Sequence, residues 1–148
     1  MTAFESMATE NLELLDAINP ASYTTAENGS WVFVGLYHRL VAEMNVGLIA
    51  GAGTLDFKLQ QADSSAGANA KDITSAAITQ LAASDDNVVV AIELQAEDLD
   101  NAETTDFAWV RMVITPAVAA SLASATLKGY VGRFLPVPTT NYEEVIQL

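Results

Sequence analysis

The clearest signal along the chain is a period of two. Leu55, Phe57 and Leu59 alternate with Asp56, Lys58 and Gln60, which predicts a half-buried strand over 54–62. Val88, Val90, Ile92, Leu94 and Ala96 alternate with Val89, Ala91, Glu93 and Gln95 in the strongest strand signal of all. Leu40, Ala42, Met44, Val46 and Leu48 share one face of another strand, opposite Arg39, Val41, Glu43, Asn45 and Gly47. Residues 31–36 are apolar on both faces. So are residues 107–115 apart from Arg111, which predicts a central strand. Ala125, Leu127, Gly129 and Val131 alternate in a last one. Residues 72–81 carry a helical stripe, but Ile73-Thr74 and Ile78-Thr79 favour a strand with an irregularity.

Turn signals separate these runs. Asn28-Gly29 supplies a positive φ cheaply, Ala50-Gly51-Ala52-Gly53 ends one strand, and Ser84-Asp85-Asp86-Asn87 precedes another. The polar run 63–71 reads as a long flexible loop, 97–106 as an acidic loop, and the alanine-rich stretch 116–124 as a short helix or a connector. At the front, Phe4, Met7, Leu12, Leu15 and Ile18 fall at roughly helical spacing until Asn19-Pro20 stops them. With no βαβ alternation and turns at short intervals, the expectation is all-β. It is an antiparallel β-sandwich of jelly-roll type with an N-terminal arm, in which 88–96 and 107–115 are interior strands. The arm covers 1–20, the sandwich 21–135 and a C-terminal tail 136–148.

Composition narrows the function. At 148 residues with 51% hydrophobic content, the chain can bury a core without a staple, and it has no cysteine to make one. Nineteen acidic residues against six basic ones leave a net charge of −13, which repels nucleic acid and anionic membrane. No basic and apolar leader follows Met1, and the richest apolar stretch is broken by Arg111 and Pro116, so neither a signal peptide nor a membrane span is expected.

Candidate chemistry is sparse. His38 has neither cysteine nor a second histidine to complete a zinc site, and no G-x-S-x-G turn offers a nucleophile. Asp85-Asp86 and the set Glu97, Asp98, Asp100, Glu103 and Asp106 lack the spacing and glycine of a calcium loop, and read as solvated loops. The expectation is no enzyme, no cofactor and no metal. Trp31 and Trp109 lie in apolar strands and are expected in the core; exposed, they would suit a carbohydrate-binding sandwich instead. Arg39, Lys58, Arg111, Lys128 and Arg133 fall in or beside strands, where they can shield an edge or meet a neighbour's carboxylates.

Five stretches carry a resemblance. They are Leu15-Asp16-Ala17-Ile18-Asn19-Pro20-Ala21, Tyr37-His38-Arg39-Leu40-Val41, Lys58-Leu59-Gln60-Gln61-Ala62, Asn69-Ala70-Lys71-Asp72-Ile73 and Phe107-Ala108-Trp109-Val110-Arg111. From Asn11 to Tyr130 the chain resembles a family of small virion proteins of tailed bacteriophages. The resemblance implies a structural role in the particle. The expected role is decorating or cementing the head shell, with the major capsid protein as partner, a homotrimer as the assembly and the host cytoplasm as the place of assembly. A neck or tail connector is the alternative position. Apolar residues near the chain ends with no evident place in the sandwich are the expected partner contacts: Phe4, Met7, Leu12, Leu15, Tyr142, Val145 and Ile146.

Overall fold

A computed structural model describes residues 8–102 and 105–132. One helical turn, α1 (Ala8–Asn11), precedes β1 (Leu12–Tyr23), β2 (Glu27–Asn28), β3 (Val32–Phe33), β4 (Tyr37–Ile49), β5 (Thr54–Ala62), β6 (Lys71–Ala77) and β7 (Leu81–Ala82). Then come β8 (Val89–Gln95), β9 (Asn101–Ala102), β10 (Thr105–Asp106), β11 (Trp109–Ala117) and β12 (Ser121–Gly132), with single 3₁₀ turns at Ala83–Asp85 and Ala96–Asp98.

Every pairing is antiparallel. One sheet has the order β1-β12-β4-β8 and the other β2-β11-β5-β6, while β9 and β10 form a separate small ribbon. β3 joins β11 beside β2, and β7 joins β5 beside β6, so each pair occupies one broken strand position. The chain passes between the sheets at nearly every connection, and the first and last of the described strands lie side by side. That is the connectivity of a jelly roll, as expected from the sequence.

The core lies between the sheets. Leu40, Ala42, Met44 and Val46 of β4 meet Leu55, Phe57 and Leu59 of β5, Val110, Met112 and Ile114 of β11, and Ala123, Ala125 and Leu127 of β12. Alternation along β4 holds to Val46 and then inverts: Leu48 is exposed and Ile49 buried. The cause is a bulge, for between the partners Ala123↔Val46 and Ser121↔Ile49 β4 carries one residue more than β12. One extra residue sends every later side chain to the other face. The turn at 84–87 closes this bulge. Ile49 N–H donates to Asp86 Oδ1 at 2.7 Å, and Asn87 N–H donates to the Gly47 carbonyl at 3.0 Å. Asp86→Ala would leave the Ile49 amide without its partner, so a loss of about 1–3 kcal/mol is expected; urea unfolding measures it. Ser121 is the opposite case: its buried Oγ has no hydrogen-bond partner among the described residues. Ser121→Ala removes that desolvated group and is expected to leave stability equal or raise it by about 1 kcal/mol in the same assay.

Four expectations change. Residues 12–18 are strand, not helix, and Pro20 lies within β1 at its second register shift, between Ile18 and Ala21. The sandwich therefore begins at Leu12, inside the expected arm 1–20. Residues 88–96 do form a strand, β8, but at the edge of its sheet, whereas β11 is interior as expected. The stretch 116–124 is the end of β11, a turn and the start of β12, with no helix. The flexible loop expected over 63–71 is a loop up to residue 70, with Lys71 opening β6, and it is closed on itself by Asp63 N–H to the Ala68 carbonyl, Ala68 N–H to Ser64 Oγ, and Asn69 Nδ2 to Asp63 Oδ2. The ambiguous segment 72–81 is a strand with an irregularity, since β6 bulges between the partners Gln60↔Asp72 and Lys58↔Ala77.

Candidate functional site

Period two on β11 and β5 places Trp109, Arg111, Lys58 and Gln60 on the outer face of their sheet. There they form a polar row. Arg111 donates through Nε and Nη2 to Gln60 Oε1, at 3.0 and 2.8 Å. Gln60 Nε2 donates to Asp72 Oδ1 at 2.8 Å, and Lys58 Nζ meets Asp72 Oδ2 at the same distance. The Arg111 guanidinium lies 4.5 Å from the centre of the Trp31 ring, and Phe33 packs edge-on to Trp109 at 5.6 Å.

The two tryptophans are thus half-buried on an outer face rather than in the core, and they are not free platforms either. Arg111 covers one face of Trp31. Gly67, at φ +77°, lies so close that a Cβ there would stand 2.3 Å from Trp31 Nε1. A sugar ring would have to displace both, so the carbohydrate-binding reading loses its platform.

The other sheet's outer face is tied in the same way. Lys128 pairs with Glu43 at 3.2 Å and Arg39 with Glu93 at 3.8 Å, while Tyr130 Oη also donates to Glu93. Lys71 pairs with Asp100 and lies over the Phe107 ring, and the Asp100 amide donates to Gln61 Oε1 at 2.8 Å. Every basic side chain of the described residues therefore meets a partner within the chain. Arg39, Lys58, Arg111 and Lys128 all sit on interior strands, where they shield no edge. His38 is exposed on β4. No group of three or more potential metal ligands exists among the described residues.

Of the expected partner contacts, Phe4, Met7, Tyr142, Val145 and Ile146 lie outside the described residues. Leu12 and Leu15 belong to β1, and Leu15 packs against the core, so it serves the fold. The exposed apolar residues lie elsewhere. Val89 (64% exposed), Leu48 (54%) and Leu122 gather at the end of the sandwich that holds the β4–β5 and β11–β12 turns. Beside them is a groove of about 330 Å³ lined by Pro20, Ala21, Asn45, Gly47, Leu122, Ala123 and Ser124, without one charged side chain. Sequence patterning assigned Leu48 to the core; the bulge that turns it outward has no signature beyond Gly47.

Among the described residues, three carboxylates depart from their ordinary ranges. Burial pushes Glu13 and Asp16 up, although the Ser30 and Ala17 amides pull Asp16 back in part. Hydrogen bonds from Lys58 and Gln60 pull Asp72 down. The folded state holds a proton on Glu13 and Asp16 more tightly than the unfolded chain does, so acidification from neutrality stabilises the fold through them. Asp72 contributes stability above its unfolded value of 3.8, and that is lost as pH falls through its lower folded value. The melting temperature is expected to rise as pH falls from 7 toward the carboxylate range, and to fall again below it. Glu13→Gln should flatten the rising limb in a calorimetric pH series.

No family model and no curated protein matches the chain. Among solved structures it is similar to the cowpea mosaic virus empty virus-like particle seen by electron cryo-microscopy, at 12% identity over 94% of this chain and 92% of that one, with a TM-score of 0.40. It is similar to the naturally occurring empty particles of the same virus, its top component, at 11% identity over 90% and 97%, with a TM-score of 0.39. Similarity at this level carries no functional argument.

Proposed function

We propose that the protein is a structural component of a tailed-bacteriophage virion that decorates or cements the head shell, as a homotrimer bound to the major capsid protein. The observation that carries an assembly role is the uncharged apolar surface of Leu48, Val89, Leu122 and the adjoining groove, on a chain whose net charge is −13. An exposed apolar patch rimmed by polar surface marks a protein contact. Repeated copies turn weak contacts into strong avidity. The resemblance to small phage virion proteins supplies the particle and the shell.

The experiment is sedimentation of the protein with undecorated heads. The native protein is expected to co-sediment, and Leu48→Asp with Leu122→Asp to remain in the supernatant while folded. Failure of the native protein to bind heads, with binding to purified necks or tails, would move it to a connector position. Binding to neither would overturn the virion reading.

A further inference from the structure

Sheet edges invite other strands, and folded proteins blunt them with short strands, bulges, prolines and charges. Among the described residues, three of the four edge positions are blunted. β1 has two register shifts, Pro20 and the buried Glu13. β2 and β3 are two residues each. β6 bulges across Ile73 to Ala76, with Ser75 at φ +64°. β8 has none of these devices. Its register against β4 is unbroken from Val89 to Gln95, it holds no proline, lysine or arginine, and its one acid, Glu93, is paired with Arg39.

The amides that β8 leaves open can be identified. Val46 N–H donates to the Val88 carbonyl at 2.9 Å, so the even-numbered residues of β8 bond to β4 and the odd-numbered ones face away. Asp98 Oδ2 takes the Gln95 amide at 2.7 Å. Among the described residues, the outward backbone groups of Val89, Ala91 and Glu93 meet no partner strand. Alongside runs a cleft of about 180 Å³ between β8 and β6. Ile73, Ala76, Ile92 and Leu94 give it apolar walls, and Glu93 and Asp98 line it as well.

We propose that the open edge of β8 is a strand-addition site for an extended segment of a partner protein in which apolar residues alternate with lysine or arginine. This deepens the assembly reading above and rests on it. The backbone of the added strand would bond to Val89, Ala91 and Glu93, as in other recognition by sheet extension. Its inward row of apolar side chains would enter the cleft, which has apolar walls, and its basic row would lie on the outer face, beside Glu93. Charge selects the partner. A second copy of this chain brings another −13, whereas a basic segment is drawn toward it.

The probe is a capped heptapeptide of alternating valine and lysine, mixed with the full chain, with hydrogen exchange read at single amides. The Ala91 and Glu93 amides are expected to exchange at least tenfold more slowly at saturating peptide, and a valine–glutamate peptide to bind at least tenfold more weakly. Ala91→Pro removes an outward N–H that β4 does not use, so it should abolish binding. Ala91→Lys keeps every backbone bond and should weaken binding of the basic peptide even if the proline variant does not fold. Unchanged exchange at millimolar peptide, or full binding by Ala91→Lys, would overturn the site. Slowed exchange that depends on protein concentration without peptide would overturn the basic partner in favour of a second copy. Because heads are absent from this assay, its failure is separable from failure of the virion reading.

Discussion

Leu127→Asp is expected to abolish folding. Leu127 lies midway along β12, which is bonded on both sides, to Asp16 of β1 and to Ala42 of β4. Its side chain is fully buried between the sheets among Leu40, Met44 and Phe57. An aspartate there finds no cation, because Lys128 and Arg39 point to the outer face and are engaged with Glu43 and Glu93. A buried charge without a partner costs several kcal/mol, against a typical total stability of about 5–15 kcal/mol. The circular-dichroism strand signal and the cooperative urea transition should both be lost. A folded Leu127→Asp protein would mean that β12 is not the centre of its sheet. Leu127→Ala, which only opens a cavity, is expected to fold with a loss of about 2–5 kcal/mol.

Where the period of two is uninterrupted, the sequence is enough. The strand expected over 54–62 is β5 to the residue, because β5 is interior and one of its faces is the core. The period fails where the ladder is irregular. β1 has a burial pattern that is neither alternating nor helical, since its two bulges shift the register twice. The apolar residues on either side of those shifts fall at three- and four-residue spacing and imitate a helix. Leu48 is misread for the same reason. The edge position of β8 is invisible to patterning, because alternation reports which face is buried and not how many neighbours a strand has. The tryptophans were more legible than the expectation allowed. Arg111 is two residues from Trp109 and so shares its face, and a face that carries an arginine is the outer one. Of the contact surface, only the neutrality of the chain around Gly47 could be read, since Leu48, Val89 and Leu122 are brought together by the fold.

Deletion of residues 1–18 is expected to destroy the domain, and this reverses what an N-terminal arm would predict. The deletion removes six of the cross-strand partners that β1 offers β12, from Leu12↔Tyr130 to Ile18↔Ala125. It takes Ile18 out of the core and exposes one long side of β12. At about 0.5–1.5 kcal/mol for each lost hydrogen bond and about 1.5–3 kcal/mol for Ile18, the loss approaches the stability of an ordinary domain. The edge left behind is worse than the one removed. β12 carries neither the bulges nor the proline of β1 along residues 123–130, so its bare amides would pair with other chains. The deletion protein should therefore aggregate, as light scattering would show, and lose its cooperative thermal transition. Removing residues 1–7 instead leaves every described element in place, and that variant is expected to fold. If the protein lacking 1–18 remained monomeric and melted cooperatively, β1 would be an accessory to the sandwich, and the contact between the first and last strands would not be what closes this sheet.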